Sequence, residues 1–587
     1  TYDTTIPQLK EGSLQSFKRY DRQNLRYYIS AVFDEPVISE LLVHASDSSL
    51  HRCYSTKLDT LHVWSLPPTI PEGPIGIEYK ATNNSNLSLH SGLINNFTNI
   101  AYESIPVHGF EWEEVGNPRV PLNYTFDYNS DGLPEYLAME IPASGYGNVS
   151  AYQPQPGGHV VSHSFNDSFW LLGAGDTNNT GQEILMLRGD TAVILESHGL
   201  SQYPNLPLWE EASVTGGTIA DYSGDGIQDL LLVKDLPTQR IIQAYKRSGN
   251  TFLAKNKLLN TSPTNMRNTF VPTITVNNFD NDNYLDILTA DTDGDVMMFE
   301  IRNDNLHELT WSTRLPVANT YSITSGDFDG NGVQDFMVGG YYRDVLDPNR
   351  NFWYFEGFRS NGNNYYSSMG HLMFNEVISQ NAIQAMDVDD DGKDEIILAI
   401  APNLYIIKYI DYKFKPIFHD NSYQTYRILA TRDSNGSPWF LTNYEVAPDT
   451  IRAVQWKRQE PFTGPPSPVN FLATPMDHAT VHLTWLTCNA DYFRLYRQDP
   501  DGQVVMLADN VVSDSYMDVD LSEGQTYKYR VTAVNNAYSP PESVPTPWIS
   551  ATPNPVPQLV MERSGMVSAN EIRVFFDCPM ASSNLNP

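Results

Sequence analysis

Cysteine is nearly absent: Cys53, Cys488 and Cys578 are the only three in 587 residues, far apart and without a CxxC pair. That spacing supports neither a zinc site nor a disulfide framework. Long apolar runs are missing as well. No stretch of about 18 apolar residues occurs, so no direct membrane insertion is expected. Positive charge is scarce, with 37 Lys and Arg against 70 Asp and Glu and a formal net charge of −33. A surface of that sign repels nucleic acid and anionic lipid, which excludes both as expected partners, and it attracts cations. Neither HExxH nor GxSxG appears, and no catalytic residue is assigned.

What the chain does contain is aromatic and turn-rich. Aromatics make up 12 %, with 34 Tyr, and there are 36 Gly and 39 Pro. No segment has the Ala/Glu/Lys/Leu character of a long helix, so the fold class is expected to be all-β.

One acidic pattern recurs. It reads DYNSDGLPE at 127–135, DYSGDGIQD at 221–229, NFDNDNYLD at 278–286, DFDGNGVQD at 327–335 and DVDDDGKDE at 387–395. Oxygen-bearing side chains fill positions 1, 3, 5 and 9, and position 6 is Gly, or Asn283 in the third copy. Gly and Asn are the residues most at ease with φ > 0. Two weaker copies, DTNNTGQE at 176–183 and RDSNGSPW at 432–439, fill the gaps in spacing. Short apolar strands precede and follow each loop, as in TITV (273–276) and IILAI (396–400), and a third strand such as LYIIKYI (404–410) comes next. A more polar segment then leads to the following loop. Seven units of four strands predict a seven-bladed β-propeller over 108–458. The last unit, ending at IRAVQW (451–456), lacks a fourth strand. The segment at 109–116, GFEWEEVG, resembles the outer strands and is expected to supply it, which removes exposed sheet edges.

Alternating acids on a tight turn, a position-7 carbonyl and an acid at position 9 make six or seven oxygen ligands, which suits Ca²⁺ better than Mg²⁺. An EF-hand would need Glu at position 12, where Ala138, Leu232, Thr289, Val338 and Leu398 stand. Solvated Asx-turns are the plainer alternative.

These loops resemble the FG-GAP/VCBS repeats of integrin-α-like calcium-binding propellers. The resemblance implies five structural calcium sites and no reaction. Carried over by position, the side-chain ligands are Asp127, Asn129, Asp131 and Glu135; Asp221, Ser223, Asp225 and Asp229; Asn278, Asp280, Asp282 and Asp286. The last two sets are Asp327, Asp329, Asn331 and Asp335, then Asp387, Asp389, Asp391 and Glu395. The carbonyls of Leu133, Ile227, Tyr284, Val333 and Lys393 join them. Ser223 and the neutral Asn278 imply two weaker sites.

Beyond a Pro-rich linker at 459–468, residues 465–553 resemble a fibronectin type III domain, a β-sandwich module. The resemblance is carried by Trp485 in VHLTW, Tyr496 in YFRLYR, and LSEGQTYKYRVTAVN (521–535) with Tyr527 as tyrosine-corner residue. Residues 556–587 resemble the start of a bacterial Ig-like domain, expected to be incomplete, with the natural chain running past Pro587. Residues 1–107 are expected to form a β-rich, sandwich-like domain. The triplet Arg188-Gly189-Asp190 falls at a strand turn and is read as ordinary turn sequence, although integrin ligands expose the same triplet. His159 and His163 are read as flanking a strand.

The functional expectation is a secreted or cell-surface adhesion, binding or assembly protein, with a calcium-stabilised propeller facing a protein or glycan ligand. A start at Thr1, without Met, fits a processed secretory chain and an artificially trimmed one equally. The alternatives are a carbohydrate-active enzyme resembling propeller polysaccharide lyases, or the propeller portion of a larger toxin or secretion machine.

Overall fold

The computed structural model describes residues 5–554 together with 561–568 and 571–576. Within the first span it leaves out 101–102, 107–108, 116–119, 127–134, 140–146, 156–157, 166, 180, 197–206, 262–268, 283, 304–305, 319, 343–350, 376–380, 422–426, 434–435, 448–449, 459–464, 487–489, 539 and 547. Among the described residues every regular element is a β-strand. The chain divides into two units, Thr1–Phe462 and Thr463–Pro587.

In the first unit, seven antiparallel meanders follow one another. The third is Val214–Ala220, Asp229–Asp235, Arg240–Ser248 and Thr251–Leu258. The sixth is Asn381–Met386, Glu395–Ile400, Asn403–Ile410 and Lys413–Asp420. In each of these two the acidic loop joins the first strand to the second. Second strands such as Glu395–Ile400 are buried at every residue. Both of their faces are covered by neighbouring sheets, which is why they read as unbroken apolar runs and not as alternation.

Every consecutive pair of sheets shares an apolar core. Phe279 and Leu288 of the fourth pack with Phe336 and Tyr354 of the fifth. Tyr136 and Tyr152 of the first pack with Trp439 and Leu441 of the seventh. The seventh sheet takes its outer strand from far upstream: Phe110–Glu114 pairs antiparallel with Thr450–Arg458, from Arg458↔Phe110 to Val454↔Glu114. Phe110 lies edge-on to Phe418 at 5.2 Å, while Glu111, Glu113 and Glu114 face solvent. His159 and His163 lie within Gly158–Ser164 and do not flank it, and His159 Nδ1 sits 2.6 Å from the Tyr136 hydroxyl in the buried interior.

The strands described between Gln15 and Ser104 join in one sheet around the long strand Asn24–His44. It is continuous with the fifth meander, because Gln15–Asp21 runs parallel to Tyr366–Phe374 and pairs with it at Tyr20↔Phe374. The Arg19 guanidinium lies between the Phe17 and Phe352 rings, 4.3 Å from each centroid. The outer edge of that meander is thereby covered by chain instead of solvent, which blunts edge pairing.

In the second unit two sheets share a core. One is Val469–Pro475, Val481–Leu486 and Ser515–Asp518; the other is Val504–Val511, Tyr492–Gln498, Tyr527–Val534 and Ile549–Ala551. Trp485, Phe493, Leu495 and Tyr529 fill the space between them. The Tyr527 hydroxyl accepts the Ser522 backbone N–H at 3.0 Å, tying the segment before the strand to its first residue. Tyr527→Phe removes that acceptor and is expected to cost about 1 kcal/mol. A calorimetric transition of this unit lowered by about 4–8 °C would follow, and an unmoved transition would show that the tie contributes nothing.

Candidate metal sites

The loops take their shape from local hydrogen bonding. In 327–335, Asp327 Oδ1 accepts the N–H groups of Gly330 (2.8 Å) and Asn331 (3.0 Å), and its Oδ2 accepts that of Gly332 (2.7 Å). Loop 221–229 repeats this with Asp221, Gly224 and Gly226. Positions 4 and 6 favour the left-handed region: Gly226, Gly332 and Gly392 adopt it at position 6, and Gly224, Asn281, Gly330 and Asp390 at position 4. Only Gly, Asn and Asp tolerate that backbone routinely, which accounts for the loop composition. The N–H groups of Ile227, Tyr284, Val333 and Lys393 at position 7 donate to the side chain at position 5.

The acids converge unequally. Carboxylate oxygens lie within 4.8 Å of one another for Asp327, Asp329 and Asp335, and for Asp387, Asp389 and Glu395. Loops 221–229 and 278–286 bring no such trio together among the described residues. Asp127, Asn129, Asp131 and Leu133 lie outside the described residues, and of that set only Glu135, fully buried, is described.

Asp335 is the decisive residue. It is 1 % exposed, and no side chain hydrogen-bonds its carboxylate; the Phe328 backbone N–H is the one donor beside it among the described residues. Burial pushes its carboxyl up to about 7, Asp329 and Asp327 push the same way, and Arg359 and the Phe328 N–H oppose them. A desolvated carboxylate with only a backbone N–H for support, beside two further carboxylates, costs free energy when ionised unless a cation is bound among them. An all-oxygen donor set of this kind fits a hard divalent ion. In 221–229, Asp229 Oδ2 is likewise buried without a partner, and burial raises that carboxyl to about 7. Asp229 and Asp225 line a cavity of about 290 Å³ with Lys246 and Arg247.

In 278–286 the neighbouring sheet reaches in. The Asn364 backbone N–H donates to Asp280 Oδ2 at 2.7 Å, and Asn363 Nδ2 to Asp282 Oδ2 at 2.9 Å. The weak copy at 176–183 is filled by Arg247, whose guanidinium bonds Glu183 (2.8 Å), Glu196 (2.7 Å) and the Thr177 hydroxyl (3.0 Å). Arg188 of the Arg-Gly-Asp triplet is paired with Asp167 at 2.5 Å.

Two features escape the nine-residue pattern. A third acidic trio, Asp291, Asp293 and Asp295, forms the turn between Asp286–Ala290 and Asp295–Asn303. Asp291 Oδ1 accepts three N–H groups there, and Asn260 Nδ2 donates to Oδ2 at 2.9 Å. The string DTDGD, alternate acids around a Gly, is the signal that marks it. Position 8 is the second feature. Gln228 accepts the Asp176 N–H (2.9 Å), Gln334 accepts from Asn277 Nδ2 (3.2 Å) and Asp394 accepts the Asp327 N–H (2.8 Å). Each thereby ties its own sheet to the preceding one.

Residues 278–338 match the FG-GAP-like repeat family. The match covers the third and fourth full acidic loops and the strands between them. No curated protein matches the chain. Among solved structures, Bacillus licheniformis rhamnogalacturonan lyase PL11 aligns at 10 % identity over 76 % of this chain and 91 % of its own, with a TM-score of 0.33. The Vanderwaltozyma polyspora Nup133 β-propeller domain aligns at 6 % identity over 60 % of this chain and 99 % of its own, TM-score 0.37. The FN5 domain of Drosophila Lar aligns at 17 % identity over 15 % of this chain and 97 % of its own, TM-score 0.14.

Proposed function

We propose that residues 108–458 form a closed, seven-bladed propeller of the FG-GAP type. Its loops hold structural calcium, and it serves as the binding platform of an extracellular or cell-surface protein. The observation that carries the calcium reading is Asp335, buried without a side-chain hydrogen bond beside Asp327 and Asp329. Shared cores between consecutive sheets, and the return of Phe110–Glu114 to the seventh, support closure. The ion's role is to cancel repulsion where the first strand of a blade turns into the second, so that the loops stay in one conformation. With the loops rigid, the surface they border is pre-organised, which lowers the entropic cost of binding a protein or glycan. The fibronectin-like unit acts as spacer or anchor.

The test is retention of the full chain on immobilised polysaccharides, rhamnogalacturonan among them, with calcium and with chelator. Calcium-dependent retention of an intact polymer is the expected result. Accumulation of unsaturated oligosaccharides, read by ultraviolet absorbance, would replace the binding reading with a lyase.

A further inference from the structure

The loop densest in acid, 387–395, has a cation of the protein's own seated among its carboxylates. Ile396 pairs with Ile407, which places Lys408 across the strand from Glu395, the position-9 acid. The Lys408 ammonium donates to Glu395 Oε1 at 2.6 Å and to Asp389 Oδ2 at 2.7 Å, and lies 2.9 Å from Asp391 Oδ2. The residue is 9 % exposed. Burial works against its charge, but the bonds to Asp389, Glu395 and Asp391 outweigh it and hold Lys408 above the usual lysine range. Around the rim, Arg432 bonds Asp390 at 2.7 Å and Arg458 donates to the Asp389 carbonyl at 2.5 Å.

In 221–229 the same cross-strand position is also a lysine: Leu230 pairs with Tyr245, so Lys246 faces Asp229, and it donates to Asp225 Oδ2 at 2.8 Å while Asp229 Oδ2 stays without a partner. In the other two sibling loops the position differs. Asp286 faces Glu300, which adds a charge of the same sign. Phe336 pairs with Phe358, so Arg359 faces Asp335, yet Arg359 bonds Asp329 at 2.9 Å and leaves Asp335 without a side-chain hydrogen bond. Lys408 reaches the position-9 acid and two further carboxylates together, which neither Glu300 nor Arg359 does. Calcium at about 2.3–2.6 Å from the same oxygens would occupy the volume that the ammonium fills, at strong like-charge repulsion.

We propose that Lys408 is a tethered replacement for the metal, so that loop 387–395 holds no calcium while its siblings do. The proposal rests on the calcium reading of those siblings, and what decides is whether the cation opposite position 9 satisfies that acid: Lys408 bonds Glu395, whereas Asp229 keeps an unpartnered oxygen beside Lys246. Arg247 in the 176–183 copy is a second case of a protein-borne cation seated among loop acids.

The experiment counts bound calcium per full chain after equilibrium dialysis, by elemental analysis, in the wild type, Lys408→Met and Asp391→Asn. Lys408→Met is expected to bind one ion more than the wild type, and Asp391→Asn the same number. An unchanged count in a cooperatively folded Lys408→Met, or a count lower by one in Asp391→Asn, overturns the proposal. Asp391→Asn keeps Lys408 in place, so it carries the test by itself if Lys408→Met fails to fold. A wild type with no calcium beside a Lys408→Met with one ion would retain the role of Lys408 and remove the calcium reading of the siblings.

Discussion

Chelation should lower the main unfolding transition of the full chain, and calcium, not magnesium, should restore it. Ions that bind only the folded state stabilise it by about 2.7 kcal/mol per site at a hundredfold excess over Kd. For a unit of this size a rise on the order of 5–10 °C is expected from two or three such sites. The pH dependence has a definite sign. Burial is the leading cause that raises Asp229, Asp286 and Asp335 to about 7 in the folded chain, against about 3.9 when unfolded. Between those values the folded state keeps protons that the unfolded state has lost. Their contribution to the stability of chelated protein therefore falls as pH rises from about 4 to about 7. Calcium binds the ionised carboxylates, so the gap between calcium-loaded and chelated protein widens over the same window. Asp335→Asn sharpens the test: it should leave chelated protein as stable or more so above pH 7, and should weaken the calcium response. A calcium-insensitive transition, or a gap that closes as pH rises, would return the loops to solvated turns.

Replacing residues 110–114 with Gly-Ser-Gly-Ser-Gly should cost stability and release an edge. Phe110 leaves its packing against Phe418 and Phe440, at 5.2 and 6.2 Å, which is worth about 2–4 kcal/mol for a partly buried Phe. The pairs Lys457–Glu113 and Arg452–Glu114 are exposed and add little. The larger consequence is that Thr450–Arg458 becomes an unpaired edge, a template for joining another chain. A lower transition together with oligomers in light scattering is the expected outcome. A monomer that melts at the wild-type temperature would show that the sheets do not depend on this strand.

The nine-residue loops are legible in the sequence because their hydrogen bonding is local. The acid at position 1 accepts N–H groups three to five residues on, as Asp327 does from Gly330, Asn331 and Gly332, so composition and spacing suffice. The all-β class is legible for a similar reason, since short apolar runs between turn residues are a local signal. The 291–295 turn escapes only because its spacing falls outside the repeat pattern. Charge balance is harder to read. By composition 387–395 looks like the strongest calcium loop, yet Lys408, Arg432 and Arg458, 13 to 63 residues beyond Glu395 in the chain, converge on it. Loop 327–335 has an Asn at position 5, and it is there that the buried acid is left without a side-chain partner.

The sequence by itself therefore determined where the acidic loops lie, how often they recur and that strands flank them, because each of those properties is set within about ten residues. Only the tertiary structure decided which carboxylates converge, which are desolvated and which already hold a lysine or arginine. Those depend on cross-strand register and on side chains from neighbouring sheets, and the electrostatic cost of a buried charge is set by everything packed around it.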